Sequence, residues 1–363
     1  MTELNPLTVA MQMDPMEGIR IAGDSSFHIM LAAQARGHKL YHYLAPDLTY
    51  RDGRVLAKAR PVKVQKVEGD HYALGEPEML DLGRDVDVVW MRQDPPFDLS
   101  YITATHLLER VQEETLVVND PASVRNAPEK LFVLDYARFM PPTMITRDLA
   151  EVKSFLAEHG EIVVKPLYGN GGVAVFHVGS NGANLSSLVE LFKASWVEPF
   201  MVQAFIPGVA QGDKRIVLVD SEVAGAVNRI PGAGEIRSNL AVGGSAAKTV
   251  LTDREREICE AMGPELKRRG LLFVGIDVIG GEWLTEINVT SPTGIVSIDA
   301  IDEAGKRVRL WEGKDAGGVA PVWSEFETKP VVARKIVITL DTKASVGWEE
   351  IDAVELVGEP VDE

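Results

Sequence analysis

Two successive prolines, in Met140-Pro141-Pro142-Thr143, divide this chain into two kinds of pattern, and the division limits its folds more than any other feature. A proline pair fixes two φ angles and removes two backbone donors, so the segment reads as a rigid connector. Before it, apolar runs alternate with amphipathic stretches. Residues 7–13 form a strand-like run stopped by Asp14-Pro15, and Gly23-Asp24-Ser25-Ser26 caps a predicted helix over 27–36 that Gly37 closes. Further strands are predicted over 39–44, 86–91 and 116–118, with helices over 121–127 and 129–138. Strand, helix, strand with short turns implies a parallel sheet with right-handed crossovers. Ligands sit at the tips of such strands, which singles out Asp14 and the run Met91-Arg92-Gln93-Asp94-Pro95-Pro96-Phe97-Asp98.

After the connector, hairpins take over. A helix over 148–159 leads into strands over 161–167 and 173–178, then a helix to Ser195. Strands over 200–206, 214–220 and 223–230 precede a glycine-rich, flexible stretch, 231–245. A helix over 253–269 and strands over 272–279 and 282–289 follow. The class is α/β. At 363 residues the chain exceeds one ordinary core, so two or three domains around a shared cleft are expected.

Charge and cysteine content narrow the partners. Fifty-four acidic against 37 basic residues give a net charge of −17, which repels a phosphate backbone and argues against a general nucleic-acid binder. Cys259 is the one cysteine, so an internal disulfide framework is excluded; its Glu-Ile-Cys-Glu-Ala setting reads as a buried thiol on a helix. No apolar run reaches about 18 residues, the length of a membrane span. The N-terminus has neither a basic start nor a cleavable apolar core, so a soluble cytoplasmic protein is expected.

Three groups of residues carry chemistry. In Val163-Val164-Lys165-Pro166-Leu167-Tyr168-Gly169-Asn170-Gly171-Gly172, a strand opens into glycines whose bare N–H groups can face phosphate oxygens, with lysine supplying charge. A plain glycine-rich hairpin turn reads the same way. On the last predicted hairpin, Asp277 lies on one strand, while Glu286 and Asn288 lie two apart on the other and share a face. Two carboxylates and an amide oxygen are hard ligands suited to Mg²⁺ bridging nucleotide phosphates. Lys130, Lys165, Lys214, Arg215, Arg229 and Arg237 form the third group, a basic set in an acidic chain.

Together these residues resemble the ATP-grasp superfamily, and within it bacterial glutathione synthetase, from about residue 8 to about residue 300. The resemblance rests on Met13-Asp14-Pro15, Asp24-Ser25-Ser26-Phe27, the Met91–Asp98 run, Asn126-Ala127-Pro128-Glu129-Lys130-Leu131, Lys165-Pro166-Leu167 and Gly169-Asn170-Gly171-Gly172. It rests also on Gly212-Asp213-Lys214-Arg215, Arg229-Ile230-Pro231, Arg237-Ser238-Asn239-Leu240-Ala241 and Thr285-Glu286-Ile287-Asn288-Val289-Thr290-Ser291-Pro292-Thr293-Gly294. It implies an ATP-grasp fold with an N-terminal Rossmann-like domain, and ATP-dependent ligation of γ-glutamylcysteine and glycine through an acyl phosphate. The implied domains are 1–125 for the peptide, 126–200 and 201–315 for the two halves of the ATP-grasp unit, and 316–363 as an atypical β-rich tail.

The resemblance also implies roles. Lys130 and Lys165 hold phosphates, with Gly169, Asn170, Gly171, Gly172 and Lys214 beside the nucleotide and Gln203 reading adenine. Asp277, Glu286 and Asn288 hold two Mg²⁺ or Mn²⁺ ions. Arg215, Arg229, Arg237 and Asn239 stabilise the transferred phosphoryl group, and residues 231–245 correspond to the family's mobile lid. Asp14, Ser25, Arg92 and Asp94 face the peptide, Ser291 and Pro292 shape the glycine site, and a homo-oligomer, the family tetramer, is expected. Two departures stand out: Gln93 occupies a place where the family commonly has lysine, and the sequence leaves the pattern after Ile295. Gly305, Gly313, Gly317 and Gly318 there argue against the family's C-terminal helix, while 334–341 and 350–357 read as a hairpin. The alternatives are an ATP-binding protein with impaired ligase activity and an ATP-grasp ligase with another acceptor.

Overall fold

The computed structural model describes residues 5–306 apart from 170, 233, 234, 236 and 239–243, and within them three sheets follow one another along the chain. The first contains β1 (Thr8–Gln12), β2 (Lys39–Tyr43), β3 (Leu48–Arg51), β4 (Arg54–Val64), β5 (Tyr72–Leu74), β6 (Glu78–Asp81), β7 (Val88–Met91) and β8 (Leu116–Val118). Its order is β3-β4-β2-β1-β7-β8, with β5 and β6 also paired to β4. Helix α1 (Ser25–Ala35) begins where the Asp24 side chain accepts from the Phe27 amide, and α2 (Leu99–Leu108) where Asp98 accepts from Ser100 and Tyr101.

The four strands β2-β1-β7-β8 are parallel, as the strand–helix–strand pattern predicts. The expectation of a simple parallel sheet is corrected on one flank, where β4 runs antiparallel to β2, β3, β5 and β6. Residues 45–85 yield no element from the sequence because β4 alternates through alanine and proline. Val55, Ala57 and Ala59 are buried while Lys58 and Arg60 are exposed, but alanine is a weak strand former.

Short helices α3 (Pro121–Arg125) and α4 (Glu129–Phe132) bridge to the second sheet: β9 (Thr143–Thr146), β10 (Ile162–Pro166), β11 (Phe176–Val178) and β12 (Phe200–Ala204) in the order β11-β10-β12-β9. Helices α5 (Leu149–His159) and α6 (Leu185–Ser195) supply Val152, Phe155, Val189 and Phe192 to the core under it. The third sheet holds β13 (Asp213–Val219), β14 (Glu222–Ile230), β15 (Ser245–Ala247), β16 (Phe273–Ile279) and β17 (Trp283–Asn288), ordered β15-β14-β13-β16-β17. Helix α7 (Asp253–Arg268) has a capping box between Thr252 and Glu255. Cys259 on α7 is buried, and burial, with Glu255 nearby, pushes its thiol up to about 12, so it is the inert thiol expected.

A correction falls at the C-terminal side of this sheet. Helix α8 (Ile295–Lys306) runs where the departure from the family pattern argues against one. Its Ile298 packs with Val217, Val227, Phe273 and Val118, and Gly305 falls in the final turn, where one glycine is readily tolerated. The hairpin expected over 334–357 lies outside the described residues.

Candidate active site

Strand register builds the site. Asp277 on β16 stands opposite Arg215 on β13 and Glu286 on β17, and Asp213 on β13 stands opposite Arg229 on β14. Residues opposite one another share a face, so one side of this sheet carries Arg229, Asp213, Arg215, Asp277 and Glu286 in a row. Arg215 donates to both oxygens of Asp277, from Nε at 2.5 Å and from Nη2 at 2.9 Å. Arg229 Nη2 lies 2.6 Å from Asp213 Oδ2 and 3.0 Å from Asp277 Oδ1. Gly275 makes this possible, since a Cβ there would meet Arg215 Cδ and Pro292 Cβ at 3.1 Å each.

Two lysines reach the same face from other elements. Lys130 on α4 lies 3.4 Å, and Lys165 on β10 lies 3.6 Å, from Glu286 Oε1. Lys130 Nζ also donates to the Gly169 carbonyl at 2.6 Å, which ties the glycine turn to the charge cluster. Around these groups lies a cleft of about 920 Å³, open to solvent, lined by residues including Lys130, Lys165, Gly169, Gly171, Gly172, Gln203, Asp213, Arg237, Ser238, Asp277, Thr285 and Glu286. Gln203 donates to Thr143 Oγ1 at 2.9 Å.

Burial and neighbouring charge act against each other here. Burial raises Asp277, but Arg215 and Arg229 outweigh it and hold its carboxyl well below the ordinary range. Burial likewise raises Glu286, and Lys130 with Lys165 turns the balance downward. For Lys165 burial wins and its ammonium is depressed, whereas for Lys130 the carboxylates of Glu286 and Glu129 win and it is raised. Burial lifts Glu129 to about 7.

Of the residues expected at the nucleotide, Lys130, Lys165, Gly169, Gly171, Gly172, Gln203, Arg237, Asp277 and Glu286 line the cleft together. Lys214 does not join them. On a strand with period-two alternation it points to the opposite side from Asp213 and Arg215, where its Nζ meets Glu255 Oε2 at 2.6 Å and the Val250 carbonyl at 2.9 Å. Glu255 is wholly buried, so Lys214 serves as its counter-charge on the side of the sheet away from the cleft. Asn170, Asn239 and most of the expected lid lie outside the described residues. The sequence reading missed Asp213, Thr285 and Glu129. Alternation from Arg215 points to Asp213; Thr285 enters the cleft because β17 is irregular opposite Asp277 and Val278, which no local pattern signals.

The donor set suits a divalent cation. Asp277 and Glu286 oppose each other, and buried Asn288, on the same face, gives its Nδ2 to the Gly275 carbonyl at 3.1 Å, leaving its oxygen as the free end. These are hard oxygen donors within reach of lysines suited to phosphate.

The residues expected at the peptide come together at the tips of β1 and β7. Asp14 Oδ2 accepts from the Asp94 amide at 2.6 Å, and Arg92 Nε donates to Ser26 Oγ at 2.9 Å. The Arg92 guanidinium lies 5.4 Å from the centre of the Phe273 ring, and Arg92 Nη1 and Ser25 Oγ are buried with no partner among the described residues. Gln93 pairs with buried Gln12, and its carbonyl accepts from Ser291 Oγ at 2.7 Å. Ser291 and Pro292 thereby stand between the peptide-side tips and β16.

A row of arginines and acids on antiparallel strands, met by Lys130 from a helix and Lys165 from a second sheet beside a glycine turn across one cleft, is the arrangement of an ATP-grasp ligase, and comparison agrees. The fold is similar to D-cycloserine synthetase DcsG (TM-score 0.55, 16% identity, 80% of this chain and 93% of that one). It is equally similar to a RimK-domain ATP-grasp protein of Sphaerobacter thermophilus (TM-score 0.55, 18% identity, 82% and 97%). The models of the prokaryotic glutathione synthetase N-terminal domain and ATP-grasp domain match residues 7–125 and 129–303. Glutathione synthetase of Rhodopseudomonas palustris is 55% identical over 306 residues, 84% of this chain and 97% of the relative. That of Agrobacterium fabrum is 53% identical over 304 residues, 84% and 95%. The chain belongs to the prokaryotic glutathione synthetase family and is an ATP-dependent ligase. Among the described residues, no helix is long and apolar enough to cross a membrane.

Proposed function

We propose that the chain joins γ-glutamylcysteine to glycine, with ATP cleaved to ADP and phosphate, and that the cleft residues divide the work as follows. The observation that carries this reading is the convergence of Lys130 and Lys165 on Glu286, opposite Asp277, in a cleft also lined by a glycine turn. A carboxylate cannot accept an amine while its leaving group is oxide; an acyl phosphate, with phosphate as leaving group, can. Lys130 and Lys165 take the nucleotide phosphates, the turn Gly169–Gly172 covers them, and Gln203 reads the base. Asp277, Glu286 and Asn288 hold two Mg²⁺ or Mn²⁺ ions, which when bound neutralise charge developing on the phosphates.

Arg215 and Arg229, held on Asp277 and Asp213 beside the cleft, turn to the transferred phosphoryl group and stabilise its charge as those carboxylates take up the cations. Arg237 and Ser238 close the same side. Asp14, Ser25, Arg92 and Asp94 orient the peptide, and Ser291 with Pro292 bounds the glycine. Residues 1–125 form the peptide domain, with 126–200 and 201–315 as the two ATP-grasp halves, and a homo-oligomer is the working form. The test is phosphate release with ATP, Mg²⁺, γ-glutamylcysteine and glycine, each omitted in turn. Release that persists unchanged without γ-glutamylcysteine, or is equally fast with an unrelated acceptor in place of glycine, would reject it.

A further inference from the structure

Asn119 follows the edge strand β8 in the first sheet, yet all three of its side-chain hydrogen bonds reach the third. Its Nδ2 donates to the Phe273 carbonyl at 2.8 Å and the Val289 carbonyl at 2.7 Å, and its Oδ1 accepts from the Phe273 amide at 2.8 Å. Both amide hydrogens are used, and the residue is 3% exposed. Next to it, the Asp120 amide donates to the Gly270 carbonyl at 3.2 Å.

The partners fall where a strand pair gives out. Pairing of β16 with β17 begins at Gly275 opposite Asn288, so Phe273 and Val289 lie just past its end. A carboxamide that both accepts from and donates to one residue imitates the backbone of a pairing strand. Asn119 thus supplies to Phe273 what β17 no longer does once the chain turns off toward Ser291. The surroundings, Val118, Val217, Val227, Phe273 and Ile298, are apolar and buried, so these polar groups have no ready replacement. Two further ties cross at the same place: Ser291 Oγ to the Gln93 carbonyl, and the Arg92 guanidinium on the Phe273 ring.

We propose that Asn119 is a positioning residue of the ligase: its carboxamide terminates the β16–β17 pair and thereby sets where Thr290, Ser291 and Pro292 stand relative to the peptide-side tip at Gln93 and Asp94. The proposal rests on the reading above that Ser291 and Pro292 bound the glycine. It assigns Asn119 no contact with substrate. Its effect is on the meeting of two bound substrates, where displacement of about 1 Å can lower a rate about a hundredfold. ATP, held by Lys130 and Lys165 on other elements, is outside its reach.

The experiment compares Asn119→Ala, Asn119→Asp and Asn119→Gln with the unaltered enzyme, reading KM for each substrate and the ratio of phosphate released to peptide formed. Asn119→Ala leaves three backbone groups unpaired, and Asn119→Asp sets a carboxylate against two carbonyls. Asn119→Gln keeps the donors and the acceptor but displaces them by one methylene, and is the variant expected to fold even if the others do not. Expected for every variant that folds are a glycine KM raised about tenfold, a phosphate-to-peptide ratio above one, and an ATP KM within about threefold of normal. A merely structural role lowers thermal stability and the yield of folded enzyme but leaves glycine KM and the ratio unchanged, and that outcome overturns the proposal. Ser291→Ala, run alongside, separates the two readings. If it leaves glycine KM unchanged, the glycine assignment fails, and the clamp is judged by hydrogen–deuterium exchange over 289–293. Exchange there must quicken in Asn119→Gln; unchanged exchange overturns the clamp.

Discussion

On the β16–β17 face, each buried carboxylate meets an arginine or lysine of this chain, whereas at the tips of β1 and β7 the buried arginine meets a serine and a phenyl ring, and two aspartates face one another. Asp277 has Arg215 and Arg229, and Glu286 has Lys130 and Lys165. Among the described residues Arg92 forms no ion pair within 4 Å; its Nε is on Ser26, and its Nη1 has no partner. Asp94 lies near Asp14, and partial desolvation of its carboxyl at an otherwise exposed rim position, together with that like charge, raises it. The difference fits what each region is proposed to receive. A nucleotide polyanion arriving with cations brings both signs of charge, so lysines can turn to phosphate and carboxylates to metal while the balance holds. A dipeptide such as γ-glutamylcysteine brings one ammonium and two carboxylates held apart, and a site for it must keep single groups of each sign unmatched.

The largest effect should come from the balanced region. Glu286→Gln keeps the shape but leaves Lys130 and Lys165 facing a neutral amide and removes a charge from the cation site. Turnover should fall by at least about a hundredfold, about 3 kcal/mol in the barrier, with ATP binding less affected. Phosphate release measured across a Mg²⁺ titration checks this; near-normal turnover at limiting Mg²⁺ would remove Glu286 from the metal set. Arg92→Ala comes next and breaks the comparison from the other side. With no carboxylate partner to strand, it should raise the γ-glutamylcysteine KM about tenfold or more while leaving the ATP KM within threefold. Equal changes in both constants would mean that the two regions are not separate.

Lys214→Met sharpens the same comparison with a charge that belongs to neither region. Lys214 and Glu255 form a buried pair, and removing one partner of such a pair costs about 3–5 kcal/mol. For a chain of this size a loss of about 3 kcal/mol lowers the melting temperature by roughly 4 °C. ATP KM should stay unchanged, in contrast to Lys165→Met, where it should rise. A Lys214→Met enzyme of normal stability and poor ATP affinity would restore Lys214 to the nucleotide site.

The contrast between Lys214 and Lys165 shows how far the residues could be read from sequence. The strands that carry the site were legible because their apolar runs are long and bounded by glycine or proline; period-two spacing puts Glu286 and Asn288 on one face, and the hairpin brings Asp277 opposite Glu286. Lys214 belongs to a sequence motif with its neighbours, but alternation along β13 puts Asp213 and Arg215 on one side and Lys214 on the other. β4 escaped because alanine and proline weaken its alternation, and α8 because a glycine in a last turn was weighed as if it lay mid-helix. Asn119 gives no local sign at all: its partners lie 154 and 170 residues away, and only the assembled sheets bring them to it.

The smallest expected effect distinguishes the regions by the sign of their pH dependence. Asp277 and Glu286 are depressed in the folded chain, so each contributes stability that is present above the ordinary unfolded value, about 4, and lost as pH falls through the folded one. Asp94 is raised, so the folded chain disfavours its ionised form, and its charge opposes folding above the folded value. Asp94→Asn should therefore stabilise the protein at neutral pH. Because Asp94 is solvent-exposed at the rim, screening keeps the gain below about 1 kcal/mol. The gain should shrink as pH falls, vanishing below about pH 4, where the aspartate is protonated in both states. Melting temperatures of Asp94→Asn and the unaltered chain across pH 4–8, beside the γ-glutamylcysteine KM, test it. A stabilised variant with a raised KM supports an acid held for substrate at the expense of stability. A destabilised variant at neutral pH would mean that the Asp94 carboxylate has a favourable partner, and the two regions would then treat their acids alike.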